Sequence, residues 1–277
     1  QAGREWDLQS VRALQMDQES VAWREMRDYV LAAPVTSEEA RRAVSLLEGW
    51  DGLVSSESPA AAVFELFLTD MSRRTVEAKA PHASAWALGQ GSSLLVPQTF
   101  FAARRVGHLV RLLREQPEGW FPETWGEEIA GSLAGAVQVL RKRYGDDQGQ
   151  WAWGRIRSLT LRHSLGHKSL LGRVYNLGPF PCGGDTNTIS QAAPPPTDPL
   201  ANPLAIASAR MVVDVGDWEE SRFVLPGGQS GNPLSSHYGD MLPLWRRGDG
   251  VPIAWSPGAV RDATVATLRL SPASTSQ

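Results

Sequence analysis

The stretch LGPFPCGGDTNTIS, Leu177 to Ser190, divides the chain into two parts of different character. Two prolines and three glycines give it an irregular backbone, and a polar run, Asp185, Thr186, Asn187 and Thr188, follows at once. Loops of this kind are costly in conformational entropy and often carry function. Composition alone leaves site and scaffold equally open at this point.

Upstream, the apolar residues recur at helical spacing. Leu8, Val11 and Leu14 open a helical segment that is expected to run to Ala33, where Pro34 stops it. Thr36-Ser-Glu-Glu39 reads as a capping box for a helix from Ser37 to about Leu47, ended by GWDG at Gly49 to Gly52. Ser58-Pro59 is an N-cap followed by proline at the first helical position. Behind it Phe64, Phe67, Leu68 and Met71 form an i, i+3, i+4, i+7 stripe, in a helix expected to end near Ala80. Two more helices are expected, from Pro97 to about Glu115 and from Glu123 to about Tyr144. The second carries Ile129, Leu133, Val137 and Leu140 on one face, with Arg141, Lys142 and Arg143 at the end where the helix dipole favours cations. That basic triplet is read as a solvated helix end.

After Gly145, glycine, proline and tryptophan multiply and the apolar runs shorten. Ala205 to Trp218 and Ser221 to Gly228 read as two strands joined by a tight connection containing Gly216 and Asp217. Ala263 to Leu270 alternates with period two and reads as a terminal strand. Ala192 to Pro203 is proline-rich and is expected to be an exposed loop outside any sheet. The organisation is therefore α+β, with a helical region over 1–145 and a loop-rich β region over 146–277. The tail Ser271 to Gln277 reads as loose.

At 277 residues and 42% hydrophobic, the chain can bury a sizeable core. With 27 Lys and Arg against 30 Asp and Glu, the formal charge of -3 offers no basic field for nucleic acid or an anionic membrane. The longest apolar runs, such as Ala60 to Phe64, fall far short of the roughly 20 residues of a membrane span. The start, Gln1-Ala-Gly-Arg-Glu-Trp, is neither a signal peptide nor an ordinary translation start, and it reads as a cut through a longer polypeptide. A single cysteine, Cys182, cannot form an internal disulfide, and it reads as a small apolar residue in a turn.

Two local patterns invite catalytic readings. LPGGQSGNPLSSHYGDMLPLW, Leu225 to Trp245, holds Ser230, His237 and Asp240 in a Gly-rich run. It fails as a nucleophile elbow: in Gly228-Gln229-Ser230-Gly231-Asn232 the fifth position is not glycine, and Pro233 follows where a helix should start. Triad members also normally come from distant segments. A Gly-rich turn held by side-chain hydrogen bonds is the preferred reading. His163 and His167 stand four apart in HSLGH, the spacing of a zinc pair on one helical face. Ser164 replaces the glutamate of the zinc motif and Gly166 weakens the helix, so structural histidines are preferred and no metal site is assigned.

LGPFPCGGDTNTIS followed by FVLPGGQSGNPLSSHYGDMLPLW resembles the C-terminal part of penicillin acylases and the related acyl-homoserine-lactone and aculeacin-type acylases. DLQSVRALQMDQESVAWREM, LLEGWDG, AAAVFELFLTDM and LRKRYGDDQGQWAWGRIRSLTLRHSLG resemble further parts of that family in the same order, over most of Gln1 to Leu270. The resemblance implies an N-terminal nucleophile hydrolase. Such a bacterial enzyme is made as one precursor that cleaves itself to expose a serine at the start of its large subunit. That serine attacks an amide carbonyl with its own α-amino group as base, through an acyl-enzyme and with no redox cofactor. The family's nucleophile and oxyanion asparagine lie upstream of the segment that Gln1 begins, so no catalytic residue, cofactor or metal ligand is carried over to this chain. Calcium belongs to the complete enzyme.

The strands after Ala205 would complete a sheet of the family's four-layer αββα sandwich. The implied partners are the rest of the acylase, its small subunit and the N-terminal part of its large subunit, and a small-molecule acyl amide. The implied location is periplasmic or secreted. Asp185 is the candidate contact with the active centre, since some relatives place an acidic side chain from this region behind the N-terminal amine. Asn187 and His163 are weaker neighbours in the same idea. Two other classes stay open: an independently folding, non-enzymatic helical module that binds a partner, and a self-contained serine hydrolase using Ser230 and His237.

Overall fold

A computed structural model describes residues 6–35, 37–91, 93, 95–96, 104–167 and 169–272. By its contacts the chain forms two compact units. One is Leu14–Ser208, and the other comprises the described residues of Gln1–Ala13 and Ala209–Gln277.

In place of one N-terminal helix there are two, α1 (Leu8–Gln15) and α2 (Val21–Leu31). The break lies where the backbone is used elsewhere. Ser20 N donates to Gly52 O at 2.9 Å, Val54 N donates to Gln18 O at 2.9 Å, and Glu19 pairs with Leu53 in an antiparallel bridge. A segment committed to that pairing cannot continue a helical ladder. Asp17 Oδ1 turns the chain by accepting Glu19 N, and Ser20 Oγ then caps α2 by accepting Trp23 N at 3.1 Å. The helix α3 (Glu38–Glu48) is capped by Ser37, whose hydroxyl accepts Ala40 N. Thr36, given the cap in the sequence reading, lies outside the described residues.

The helix α4 (Pro59–Lys79) begins at the Ser58-Pro59 signal and ends just before Ala80, as expected. Its N-terminal half is buried nearly all round: Ala60 to Phe64, Phe67, Leu68 and Met71 are all inside. It is the central helix. A short helix α5 (Ser84–Ala87) follows, then α6 (Arg105–Glu115). The stretch 97–103, assigned helical from sequence, lies outside the described residues.

The helix α7 (Trp125–Tyr144) opens on a reciprocal capping box, Glu127 N to Thr124 Oγ1 at 3.2 Å and Thr124 N to Glu127 Oε2 at 3.0 Å. Its expected stripe of Ile129, Leu133, Val137 and Leu140 is buried. At its far end Arg141 pairs with Asp146 and Glu39. The core gathers α2, α3, α4, α6 and α7, with Trp23, Trp50 and Phe64 mutually 5.2 to 5.4 Å apart between ring centres. Burying each such ring contributes about 1.5–3 kcal/mol.

A short helix α8 (Trp153–Ile156) leads into a hairpin of β1 (Ser158–Leu161) and β2 (Leu177–Pro181), with α9 (Ser169–Tyr175) between them. Register runs Ser158 to Pro181 and Leu159 to Phe180, then slips before Leu161 pairs with Leu177. At the slip Thr160 loses its ladder partners. The side chain of Asn202 replaces them, accepting Thr160 N at 2.7 Å and donating to Thr160 O at 3.3 Å. Gly178 has φ +112°, and a Cβ there would lie 2.6 Å from Leu159 O, so the hairpin requires glycine.

The proline-rich segment does enter a sheet at its edge. Ala192–Ala193 (β3) pairs antiparallel with Ala205–Ile206 (β4), since both alanines precede the first proline and keep their donors. The rest of the segment is a loop outside any sheet but is not the exposed one expected: Pro194, Pro199 and Pro203 are buried, and only Thr197 and Asp198 are exposed. In the second unit β5 (Arg210–Val212), β6 (Arg222–Val224) and β7 (Val251–Pro252) form an antiparallel sheet in the order β5-β6-β7. The two long strands expected over 205–218 and 221–228 are thus much shorter. Their connection is also wider than expected: Asp214 Oδ1 accepts Gly216 N and Asp217 N, and a 3-10 turn follows at Trp218–Glu220.

The unit closes with α10 (Leu242–Arg247), whose Trp245 is buried, and α11 (Pro257–Ala263). No strand forms over Ala263 to Leu270. Val265, Leu268 and Leu270 are almost fully exposed, because none of the described residues offers them a neighbouring strand. The result is an α+β chain with its long helices before Gly145 and small antiparallel sheets after it.

Candidate functional site

The turn after β2 is anchored in the helical unit by a buried cluster of charge. Arg157, 1% exposed, directs its guanidinium at main-chain carbonyls: Nη1 donates to Ala192 O at 2.6 Å, and Nη2 donates to Gly184 O at 2.9 Å and Cys182 O at 3.2 Å. The guanidinium lies 4.4 Å over the ring of Trp153, itself fully buried, and Trp153 Nε1 donates to the same Gly184 O at 3.0 Å. Burial pulls the Arg157 pKa below its ordinary value, opposed by Cys182, Glu65 and Asp185. An arginine keeps its charge even so.

Asp185 sits inside this clamp with no exposed surface. Its Oδ1 accepts Asn187 N at 2.6 Å and Thr188 N at 2.8 Å, while its own N–H donates to Thr188 Oγ1 at 2.9 Å. One carboxylate oxygen thus folds the turn Asp185 to Thr188, and Asn187 enters through its main chain as a half-buried member of it. Gly184 has φ +78°, and a Cβ there would meet Ser190 O at 2.1 Å, so the turn closes only around glycine. Cys182 is half-buried beside the clamp, with Sγ 3.3 Å from Gly183 O.

A residue from α4 completes the cluster. Glu65 is 3% exposed, in the most apolar stretch of that helix, and its carboxyl meets that of Asp185. Burial drives the Glu65 pKa well above the ordinary carboxylate range, the Asp185 charge and contact add to this, and Arg157 and Arg105 pull against it. Arg105, at the start of α6, also donates to Pro196 O. Sequence reasoning missed Glu65, Arg157 and Trp153. A signal for the first existed: a single acid inside AAAVFELFL, where every neighbour belongs to a core, is either paired or neutral.

The other sequence candidates fall elsewhere. His163 stacks on Tyr175 with ring centres 4.9 Å apart, and its Nδ1 accepts Leu165 N at 3.1 Å. His163 to His167 is turn and irregular backbone, so the two imidazoles do not share a helical face. No group of three or more possible metal ligands occurs among the described residues.

In the Gly-rich loop of the second unit, His237 Nδ1 and Asp240 Oδ2 are 2.8 Å apart, and both line a shallow hollow with Ser230. The Ser230 hydroxyl accepts Asn232 N at 3.1 Å, Ser230 N donates to His237 O at 3.1 Å, and Met241 N donates to Gly227 O at 3.0 Å. Gly228 packs so tightly that a Cβ would lie 2.1 Å from His237 O. These bonds hold a turn. His237 is 70% exposed, so its pair with Asp240 lies in high dielectric and has little electrostatic leverage.

Comparison with known proteins supplies the remaining finding. The family model described as penicillin amidase matches residues 1–262. The acyl-homoserine lactone acylase QuiP of Pseudomonas putida is 30% identical, over 87% of this chain and 31% of its own length. The QuiP of Pseudomonas aeruginosa is 27% identical, over 79% of this chain and 27% of its own length. The penicillin acylase 2 proenzyme of a Pseudomonas species is 27% identical, over 82% and 28% respectively. The chain thus spans about a third or less of the curated relatives it matches.

Proposed function

The chain belongs to the penicillin amidase family, and from that premise we propose that it is the C-terminal portion of the large subunit of an N-acyl amide hydrolase. The observation that carries this reading is the colinear match of residues 1–262 to the family, set against relatives named as acylases that are about three times as long. In this reading the nucleophile is an N-terminal serine on the part of the polypeptide that the chain does not span. It attacks the amide carbonyl, and its own amine takes the proton. The substrate is a small N-acyl amide, the partners are the remainder of the acylase, and the complete enzyme is periplasmic or secreted and can hold calcium. No helix among the described residues is long and apolar enough to cross a membrane.

In this reading the chain contributes architecture. Its short strands join the αββα sandwich of the complete enzyme, and the exposed Val265, Leu268 and Leu270 are the side chains such joining would cover. Asp185, with no exposed surface of its own, acts in this reading through the turn it folds, which the Arg157 clamp fixes behind the serine amine, and not by touching that amine. Replacement by Asn in the complete enzyme is then expected to alter the pH dependence of activity.

The test is hydrolysis of a chromogenic acyl-anilide panel, phenylacetyl to long-chain, by the 277-residue chain at high concentration, beside its Ser230→Ala variant. The expected result is no turnover by either, with unchanged turnover when Ser230→Ala is placed in the complete enzyme. Turnover by the chain that Ser230→Ala abolishes would overturn the reading and move the chemistry to the Gly-rich loop.

A further inference from the structure

Two buried oxygens in the Asp185 cluster accept no hydrogen bond from any N–H or hydroxyl, namely Glu65 Oε1 and Asp185 Oδ2. They belong to two carboxyl groups that meet in the interior, one on the central helix and one on the turn after β2. Asp185 Oδ1 is already saturated by Asn187 N and Thr188 N, so Asp185 can accept a further donor only at Oδ2. Two bare carboxylates in contact inside a protein repel each other and lack solvation, whereas one proton between them turns the contact into a short charge-assisted hydrogen bond and satisfies both oxygens. A cation could serve the same purpose. Here, however, no third metal ligand stands beside the pair among the described residues, and the hydrogen bonds of the two nearby guanidinium groups, Arg157 and Arg105, go to main-chain carbonyls, so a proton is the group that fits between the two bare oxygens.

We propose that Glu65 and Asp185 share a single proton supplied by Glu65, and that this bond latches α4 to the turn Gly183 to Ser190. The groups that face it are Arg157 from the segment after α8, Arg105 from α6 and, beyond Arg157, the half-buried thiol of Cys182. The proton has a thermodynamic signature. A carboxyl whose folded pKa is raised binds its proton more tightly in the native state than in the unfolded one. Its contribution to stability is therefore complete below the ordinary value of 4.5 and is lost as pH rises through the folded value. The inference concerns the folding of this chain and stands whether or not the acylase reading does.

The test compares urea unfolding of the 277-residue chain with that of Glu65→Gln and Glu65→Leu across about pH 5 to 9. The Gln amide can donate to Asp185 Oδ2 without titrating, and Leu cannot donate at all. Relative to Glu65→Gln, the wild-type unfolding constant is expected to grow about tenfold per pH unit inside the window and then level off. Glu65→Leu is expected to unfold at lower urea than Glu65→Gln throughout. A wild type and Gln variant that stay parallel at every pH would overturn the proposal, as would a Gln variant no better than Leu. Infrared spectroscopy at neutral pH reads the proton directly, in the chain or the complete enzyme. A protonated-carboxyl stretch present in the wild type and lost in Glu65→Gln supports the latch, and its absence from the wild type refutes it.

Discussion

Replacing Arg157 by Met removes the charge that holds the Gly183–Ser190 turn while keeping most of the side-chain volume. The cost follows from the contacts. Three hydrogen bonds of good length are lost, to Ala192 O at 2.6 Å, Gly184 O at 2.9 Å and Cys182 O at 3.2 Å; the 3.5 Å approach to Gly183 O is too long to count. At about 1.5 kcal/mol for each bond from a charged donor, that is roughly 4–5 kcal/mol. The guanidinium no longer pays its desolvation, which returns some of this, but three carbonyls and the Asp185 carboxylate are left buried without their cation. The net loss is expected near 3 kcal/mol, a large share of the roughly 5–15 kcal/mol of a typical domain. Arg157→Lys is expected to lose about half as much, since an ammonium can serve some of the carbonyls but not the planar stack on Trp153. Equilibrium urea unfolding followed by far-ultraviolet circular dichroism measures both. If Arg157→Met unfolds within about 0.5 kcal/mol of the wild type, the carbonyl clamp is not what holds the turn.

Gly184→Ala is expected to cost at least 1–2 kcal/mol for the left-handed backbone, plus the shift needed to relieve the contact with Ser190 O; a thermal midpoint unchanged from wild type would show that the turn can reorganise cheaply. Thr124→Ala removes both the side-chain cap on Glu127 N and the hydroxyl contact with Glu127, and should lower stability by about 1 kcal/mol in the same melts; Thr124→Ser should recover most of it. Asp70 is partly buried, which alone would raise its pKa, yet hydrogen bonds from Arg74 and Arg73 hold it below the ordinary 3.8. Its contribution is therefore present above that value and fades as pH falls through the lower folded one. The stability gap between wild type and Asp70→Asn should shrink between about pH 5 and pH 3, and a constant gap would show that the arginines do not act through the Asp70 charge.

Much of the helical half could be read from the chain itself. The Ser58-Pro59 start, the stripe through Met71 and the stop at Pro81 are local signals, and α4 obeys them because local preference and burial agree. The break between α1 and α2 was not legible, since it depends on a bridge from Glu19 to Leu53, more than thirty residues away. The β half was the harder part. Its strands are two to five residues long, too short for periodicity to define, and the alternation of Ala263 to Leu270 marks a segment with no partner strand among the described residues. At the candidate site, Asp185 and its turn were visible as polar residues after a glycine pair. Arg157 was not, being one of several arginines in GRIRSLTLR, and Glu65, legible as an acid that a core must pair or neutralise, gave no sign of its partner; only tertiary packing brings either to Asp185.

The stacked pair Trp218 and Trp255, with ring centres 4.6 Å apart and planes 20° from parallel, gives the smaller unit an optical identity of its own. Rings so close and so nearly parallel couple their excited states, and both are at least 41% exposed, within reach of a neutral quencher such as acrylamide. Trp151 and Trp153, fully buried in the larger unit, are shielded from it. The exciton signal therefore follows the smaller unit and the gain of quencher access at Trp151 and Trp153 follows the larger one, and a single fluorescence and near-ultraviolet dichroism titration can tell whether the two units melt together or in turn.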